Sequence, residues 1–179
     1  MKALHLLSGL RLLAIADVDN LVISARRNLH SPVNPHTLWN SLRRDAFRLT
    51  ATAILTTKPD LWYTTDEWSQ GGWKVVPVLR EHVHTIRGEE HLANADLDIA
   101  FEAGAMVSTN PHADGLLLLT GDGHLACSIA RDVRRRRPSL KVFAAAVPGT
   151  ASARLRDRSI FDGFIPLDWD LACGPALAA

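Results

Sequence analysis

Two apolar runs, far apart in the chain, each stop at an aspartate: Leu12-Leu13-Ala14-Ile15-Ala16 before Asp17, and Leu116-Leu117-Leu118-Leu119 before Thr120-Gly121-Asp122. An unbroken apolar run bounded by turn residues reads as a strand buried on both faces, the signature of a parallel sheet covered by helices. In open sheets of that kind, ligands bind in the crevice beyond the carboxyl ends of the strands. The pattern therefore predicts Asp17 and Asp122 side by side in such a crevice.

The rest of the chain supplies the alternation that a doubly wound sheet needs. A strand over 11–17 leads to a helix over 20–30. Residues 36–49 place Leu38, Leu42, Ala46 and Leu49 at helical spacing, and 51–55 are β-prone. Residues 59–68 suggest an aromatic-rich helical turn, and 74–79 an edge strand, because Pro77 cannot complete a central ladder. Residues 81–90, polar and carrying His82 and His84 with His91 next to them, read as a loop with histidine spacing too loose for zinc. Asn94 caps a helix through Met106, a strand over 116–120 leads into a helix ending at Arg137, and 140–146 and 164–167 give the last two strands. The residues after Leu171 read as a loose tail. The expectation is one α/β domain over 1–179, its core about 11–167, with a mainly parallel doubly wound sheet and helices on both faces.

A chain of 179 residues that is 47% hydrophobic can fill one such core. A net charge of +1 excludes a global electrostatic commitment to polyanions, so any such contact must be local. Cys127 and Cys173 make neither a zinc pattern nor a disulfide framework, which suits a reducing, cytoplasmic setting. Lys2 and the apolar stretch to Ala16 have some features of a secretory leader, yet His5 and Arg11 interrupt it and cleavage after Ala16 would remove the first strand. No run approaches the ~20 apolar residues of a membrane span.

Asp96 and Asp98 open the helix before the strand at 116–120, where carboxylates complement the positive helix end. Asp98 and Glu102, four apart, share a helix face and repel unless a cation lies between them. With Asp17 and Asp122, up to four carboxylates then converge on one end of the sheet, a donor set for Mg²⁺ or Mn²⁺.

These residues resemble the NYN domains, a group of PIN-like ribonucleases. Asp17-Val18-Asp19-Asn20 is similar to the family's opening motif, Asp98 to its second acidic position, and Thr120-Gly121-Asp122 to its strand-to-turn motif. Ser152, Leu155 and Asp162-Gly163-Phe164-Ile165 are similar to its closing pattern. The resemblance implies metal-dependent hydrolysis of RNA, with Asp17, Asp98 and Asp122 as ligands of Mg²⁺ or Mn²⁺ and Asn20 orienting Asp17 or touching the scissile phosphate. Glu102 is a further outer position. His124 stands where many members carry another aspartate, which favours softer ions or weakens a second metal site.

Arg154, Arg156 and Arg158, with Ser152, follow the strand at 140–146 on the same edge as the acids and are the expected phosphate contacts. Arg131 and Arg134–Arg137 read instead as charge complementation at a helix C-terminus. Trp62, Tyr63, Trp68 and Trp73 suit a core or a homodimer contact better than a base-stacking platform. Two alternatives stay open. One is a haloacid dehalogenase-like phosphatase with Asp17 as nucleophile, Asp19 as acid/base and Thr120 as the hydroxyl of its second motif. The other is an RNA- or protein-binding module of the same fold with a weakened metal site.

Overall fold

The computed structural model describes residues 4–57, 64–79, 81–85, 88–92 and 95–174. Eight strands and six α-helices follow one another as β1 (Arg11–Asp17), α1 (Val18–Asn28), α2 (Pro35–Asp45), β2 (Arg48–Thr56), α3 (Thr65–Gln70), β3 (Lys74–Val78), β4 (Glu81–Thr85), β5 (Gly88–Leu92), α4 (Ala95–Thr109), β6 (Gly115–Leu119), α5 (Gly123–Arg136), β7 (Lys141–Ala146), β8 (Gly163–Pro166) and α6 (Trp169–Ala172). Six strands form one sheet in the order β3-β2-β1-β6-β7-β8, and every pairing in it is parallel.

The two aspartate-ending runs are the central pair. β1 lies between β2 and β6, and Ala16 pairs with Leu119, so both strands finish at the same edge. The chain order reverses between them: β1, β2 and β3 build outward on one side, and β6, β7 and β8 on the other. That is the topological switch point at which sheets of this class open a binding crevice. A central place for β1 also means that losing it would split the sheet in two.

Side chains of a strand alternate between faces, and β1 shows the consequence. Leu12, Ala14 and Ala16 pack into a core with Val18, Leu21 and Ala25 of α1, Leu38 and Leu42 of α2, and Leu171 of α6. Leu13 and Ile15 pack into a second core with Ile99, Ala103 and Met106 of α4 and Leu125, Ile129 and Val133 of α5. Helices thus cover both faces, as the apolar runs predict. Trp68 and Trp73 are buried in the first core, with ring centroids 5.3 Å apart in edge contact. Trp62 and Tyr63 lie outside the described residues, as does Asn94.

Three local expectations are corrected. Residues 81–90 are not a loop: β4 and β5 form an antiparallel hairpin in which His82 pairs with His91. Backbone ladders need no apolar run, so a polar composition hid the strands. The helix expected over 36–49 stops at Asp45, and Arg48 and Leu49 already belong to β2. The segment after Leu171 is packed rather than loose as far as Gly174: Ala172 and Cys173 are buried, the Asn34 amide donates to the Ala172 carbonyl at 2.8 Å, and the Thr37 hydroxyl donates to the Gly174 carbonyl at 2.6 Å. No helix among the described residues is long and apolar enough to cross a membrane.

Candidate active site

β1 and β6 each hand over to a helix through an aspartate. Asp17 ends β1 and caps α1, accepting the Asn20 amide at 3.2 Å. Asp122 caps α5, accepting the amides of His124 at 2.7 Å and Leu125 at 3.1 Å. Capping carboxylates satisfy free N–H groups at helix starts. Here it brings two positive helix ends to one crevice.

Asn20 and Thr120 lock the two turns together. The Asn20 side-chain oxygen accepts the Gly121 amide at 2.7 Å. The Thr120 hydroxyl donates to Asp17 Oδ2 at 2.9 Å and accepts the Asp122 amide at 3.2 Å. One side chain from each strand end thus reaches the other's turn. Gly121 makes the Asn20 contact possible, since a Cβ there would lie 2.9 Å from Asn20 Oδ1.

Asp17 continues the series Leu13, Ile15 and so faces the α4–α5 side. It is only 8% exposed. Burial pushes its carboxyl up to about 6, the like charges of Asp19 and Asp96 act in the same direction, and the hydrogen bonds from Thr120 and Asn20 oppose them. Asp96 is raised as well, by burial and then by the charge of Asp122. Asp17 thus lies in the field of Asp96, and Asp96 in that of Asp122, which brings the three acids into electrostatic reach around the switch point.

The third of these acids is Asp96, two residues before the one the sequence pattern singles out. Residues two apart lie on different sides of a helix. Glu102 marks the side that Asp98 shares: its Oε1 accepts Lys74 Nζ of β3 at 2.6 Å and the Thr52 hydroxyl of β2 at 3.4 Å. Asp98 is exposed on the same side. The Asp98–Glu102 repulsion is thus answered by Lys74, with no need of a cation between the two.

Asp19 accepts the Thr56 hydroxyl and, at 3.4 Å, the Thr56 amide, tying the start of α1 to the end of β2. His124 is exposed at the first turn of α5, and Arg154 Nη1 lies 3.0 Å from its Nδ1. Arg154 and Arg156 belong to a 3-10 turn, Ala153–Arg156, that Ser152 caps by accepting the Arg154 amide at 3.4 Å. The turn is brought to the crevice by the Ser152 amide, which donates to the Gly121 carbonyl at 3.1 Å. Arg156 stacks over Phe164 with its guanidinium 4.5 Å from the ring centroid, and Arg158 is exposed beyond the turn. Ser152 and Arg154 thus join Asp17, Asn20 and Asp122 at the crevice, whereas Glu102 is committed elsewhere.

The donors fit a hard cation in kind, because they are all carboxylate oxygens. Among the described residues, however, no group of three or more His, Cys, Asp or Glu is gathered closely enough to hold an ion. Asn20 is already among the residues expected beside Asp17, whereas the tie made by Thr120 had only its place in the strand-to-turn motif as a signal. Asp96 carried no such signal, because choosing between Asp96 and Asp98 requires the rotational setting of α4.

The architecture and the crevice define the chain as a doubly wound parallel α/β protein. No protein-family model and no curated protein matches it. Among solved structures it is similar to a protein of unknown function from Vibrio parahaemolyticus, with a TM-score of 0.71 and 20% identity, over 92% of this chain and 96% of that one. That likeness is one of fold. O-ureido-L-serine synthase also aligns, at a TM-score of 0.31 and 12% identity, over 91% of this chain and 58% of that one. So remote a match carries no functional weight.

Proposed function

We propose that the protein is a metal-dependent ribonuclease of NYN-like, PIN-like type that hydrolyses RNA phosphodiester bonds at the switch-point crevice. The observation that carries the proposal is the pair Asp17 and Asp122 at the carboxyl ends of β1 and β6, with Asp96 of α4 near enough to act on Asp17 and to feel Asp122. Asp17 and Asp96 are both held above the ordinary carboxylate range, by burial first and by neighbouring acids second, and a divalent cation would offset that cost. Asp17, Asp96 and Asp122 would hold Mg²⁺ or Mn²⁺, with Asp98 as the position the family resemblance suggests. A bound ion of this kind lowers the pKa of a water nucleophile and offsets charge developing on phosphorus.

The protein's own groups have separable tasks. Thr120 and Asn20 hold Asp17 and the Gly121-Asp122 turn in register, so they are positioning residues. The α1 and α5 N-termini favour an anionic substrate in the crevice. Arg154, held beside His124, offers a guanidinium to a phosphate at the rim.

The decisive measurement is cleavage of a mixed RNA set with Mn²⁺, with Mg²⁺ and with EDTA, by wild type beside Asp17→Asn and Asp122→Asn. The expected result is metal-dependent cleavage that both substitutions abolish. Full activity in both variants would exclude the crevice. RNA binding that is indifferent to Mn²⁺ or EDTA and never leads to cleavage would favour the binding module instead. A covalent phospho-enzyme on a small phosphomonoester would favour the phosphatase.

A further inference from the structure

We infer that the solvent face of α5 carries a single RNA strand away from the acidic crevice, its phosphates held by Arg131 and Arg135, with Ser128 between Arg131 and the crevice and Arg154 at the crevice end. The inference deepens the ribonuclease proposal and rests on it. At 3.6 residues per turn, His124, Ser128, Arg131 and Arg135 fall within an arc of about 60° on α5. All four are exposed, and Ser128, Arg131, Arg134 and Arg135 line one open groove.

Neighbouring arginines are committed to other tasks, which separates this stripe from a merely basic helix end. Arg134 pairs with Asp162 at 2.8 Å, and Arg136 with Asp132 at 2.8 Å. Arg137 donates to the carbonyls of Asn110, Pro111 and Ala113. Arg135 does reach Asp132 at 3.1 Å, but its side chain is 78% exposed, and a surface pair of that kind yields readily. Asp157, bonded to Ser159, is the acid that faces Arg131 from the adjoining turn.

The direction of the stripe follows from the cap. Asp122 starts α5, so Arg131 and Arg135 lie roughly 14 and 20 Å from it along the helix axis, by the rise of. Guanidinium forks and a hydroxyl match phosphate oxygens, and these groups position a strand without reading its sequence. Beyond His124 at the crevice end the stripe carries no Phe, Tyr or Trp for base stacking, so along Ser128, Arg131 and Arg135 the strand is held by its backbone with no base preference.

The test is fluorescence anisotropy of a labelled RNA dodecamer in EDTA, with wild type, the double variant Arg131→Gln/Arg135→Gln, each of its two single variants, and Arg136→Gln as the charge-matched control for the singles, off the stripe. The double variant should bind roughly ten- to thirtyfold more weakly near physiological salt, with a log–log salt slope shallower by about 1.4. Arg136→Gln should stay within about twofold of wild type, since Arg136 lies about 110° around α5 from the middle of the stripe. Cleavage of a trinucleotide, too short to reach Arg131, should be unchanged in the double variant when Mn²⁺ is present. Unchanged affinity and slope in the double variant would overturn the inference. So would equal displacement of the RNA by polyglutamate of matched charge, which would mark an acidic-peptide surface. Stripe-dependent binding without any metal-dependent cleavage would overturn the nuclease proposal while leaving the RNA path standing.

Discussion

Asp17 is a buried carboxyl that the fold itself makes costly. Its ordinary value is 3.8 and burial takes it to about 6 in the folded chain, a gap worth about 3 kcal/mol at neutral pH. The sign is that of a raised acid: well below pH 3.8 the group is neutral in both states and carries no cost. Stability then falls as pH rises through the window from 3.8 to about 6, and the full cost is borne above it. Asp17→Asn should therefore raise the stability of the metal-free protein by about 1–3 kcal/mol at pH 7.5 while removing activity, a trade familiar at functional sites. Urea denaturation at pH 7.5 and pH 4 checks it, and the gain should nearly vanish at the lower pH. A second contrast belongs to the same scale. If Asp96 is the acid coupled to Asp122, Asp96→Asn should cut metal-dependent cleavage at least tenfold, whereas Asp98→Asn should leave it within about threefold, the loss of a ligand charge being the larger effect. Equal losses in both would return Asp98 to the site.

At the scale of elements, the junction of α5 with the 3-10 turn at Ala153–Arg156 is the tightest part of the crevice. A Cβ on Gly123 would stand 2.3 Å from Ser152 Oγ and 2.7 Å from its Cβ. Gly123→Ala should destabilise by about 1–3 kcal/mol, the usual cost of overpacking. Adding Ser152→Gly should restore most of it. A thermal melt of the single and double variants would show the coupling, and simple additivity would contradict the contact. The glycine was visible in the sequence, but the partner that demands it was not, because Ser152 arrives from a turn beyond β7. Other elements divide in the same way. β1 and β6 were legible because each needs only its own apolar run. The β4–β5 hairpin was not, since its pairing lies in the backbone. The end of α2 at Asp45 was missed because Leu49 continues the helical spacing while lying in β2.

For the molecule as a whole, cation binding and folding should be linked. The crevice joins β1, β6, α1, α4 and α5, so an ion held there stabilises the entire sheet by mass action. Mn²⁺ at a hundredfold excess over its dissociation constant adds about 2.7 kcal/mol, which for a domain of this size is a rise of roughly 5–10 °C in Tm. Differential scanning fluorimetry should show that rise in wild type and lose it in Asp17→Asn and Asp122→Asn. A rise that persists in both variants would place the ion elsewhere.

The amino-acid sequence by itself determined that β1 and β6 are buried strands and that both end in aspartate, because apolar continuity and a terminal acid are local properties. Their adjacency also followed, since doubly wound sheets place such ends at one edge. Only the tertiary structure decided which acid of α4 faces the other two, that Asn20 and Thr120 bind the opposite turn, and that Lys74 takes Glu102 away from the crevice. Those outcomes depend on how a helix is rotated against a sheet, and a few degrees of that rotation are set by packing across the whole core rather than by any neighbouring residue.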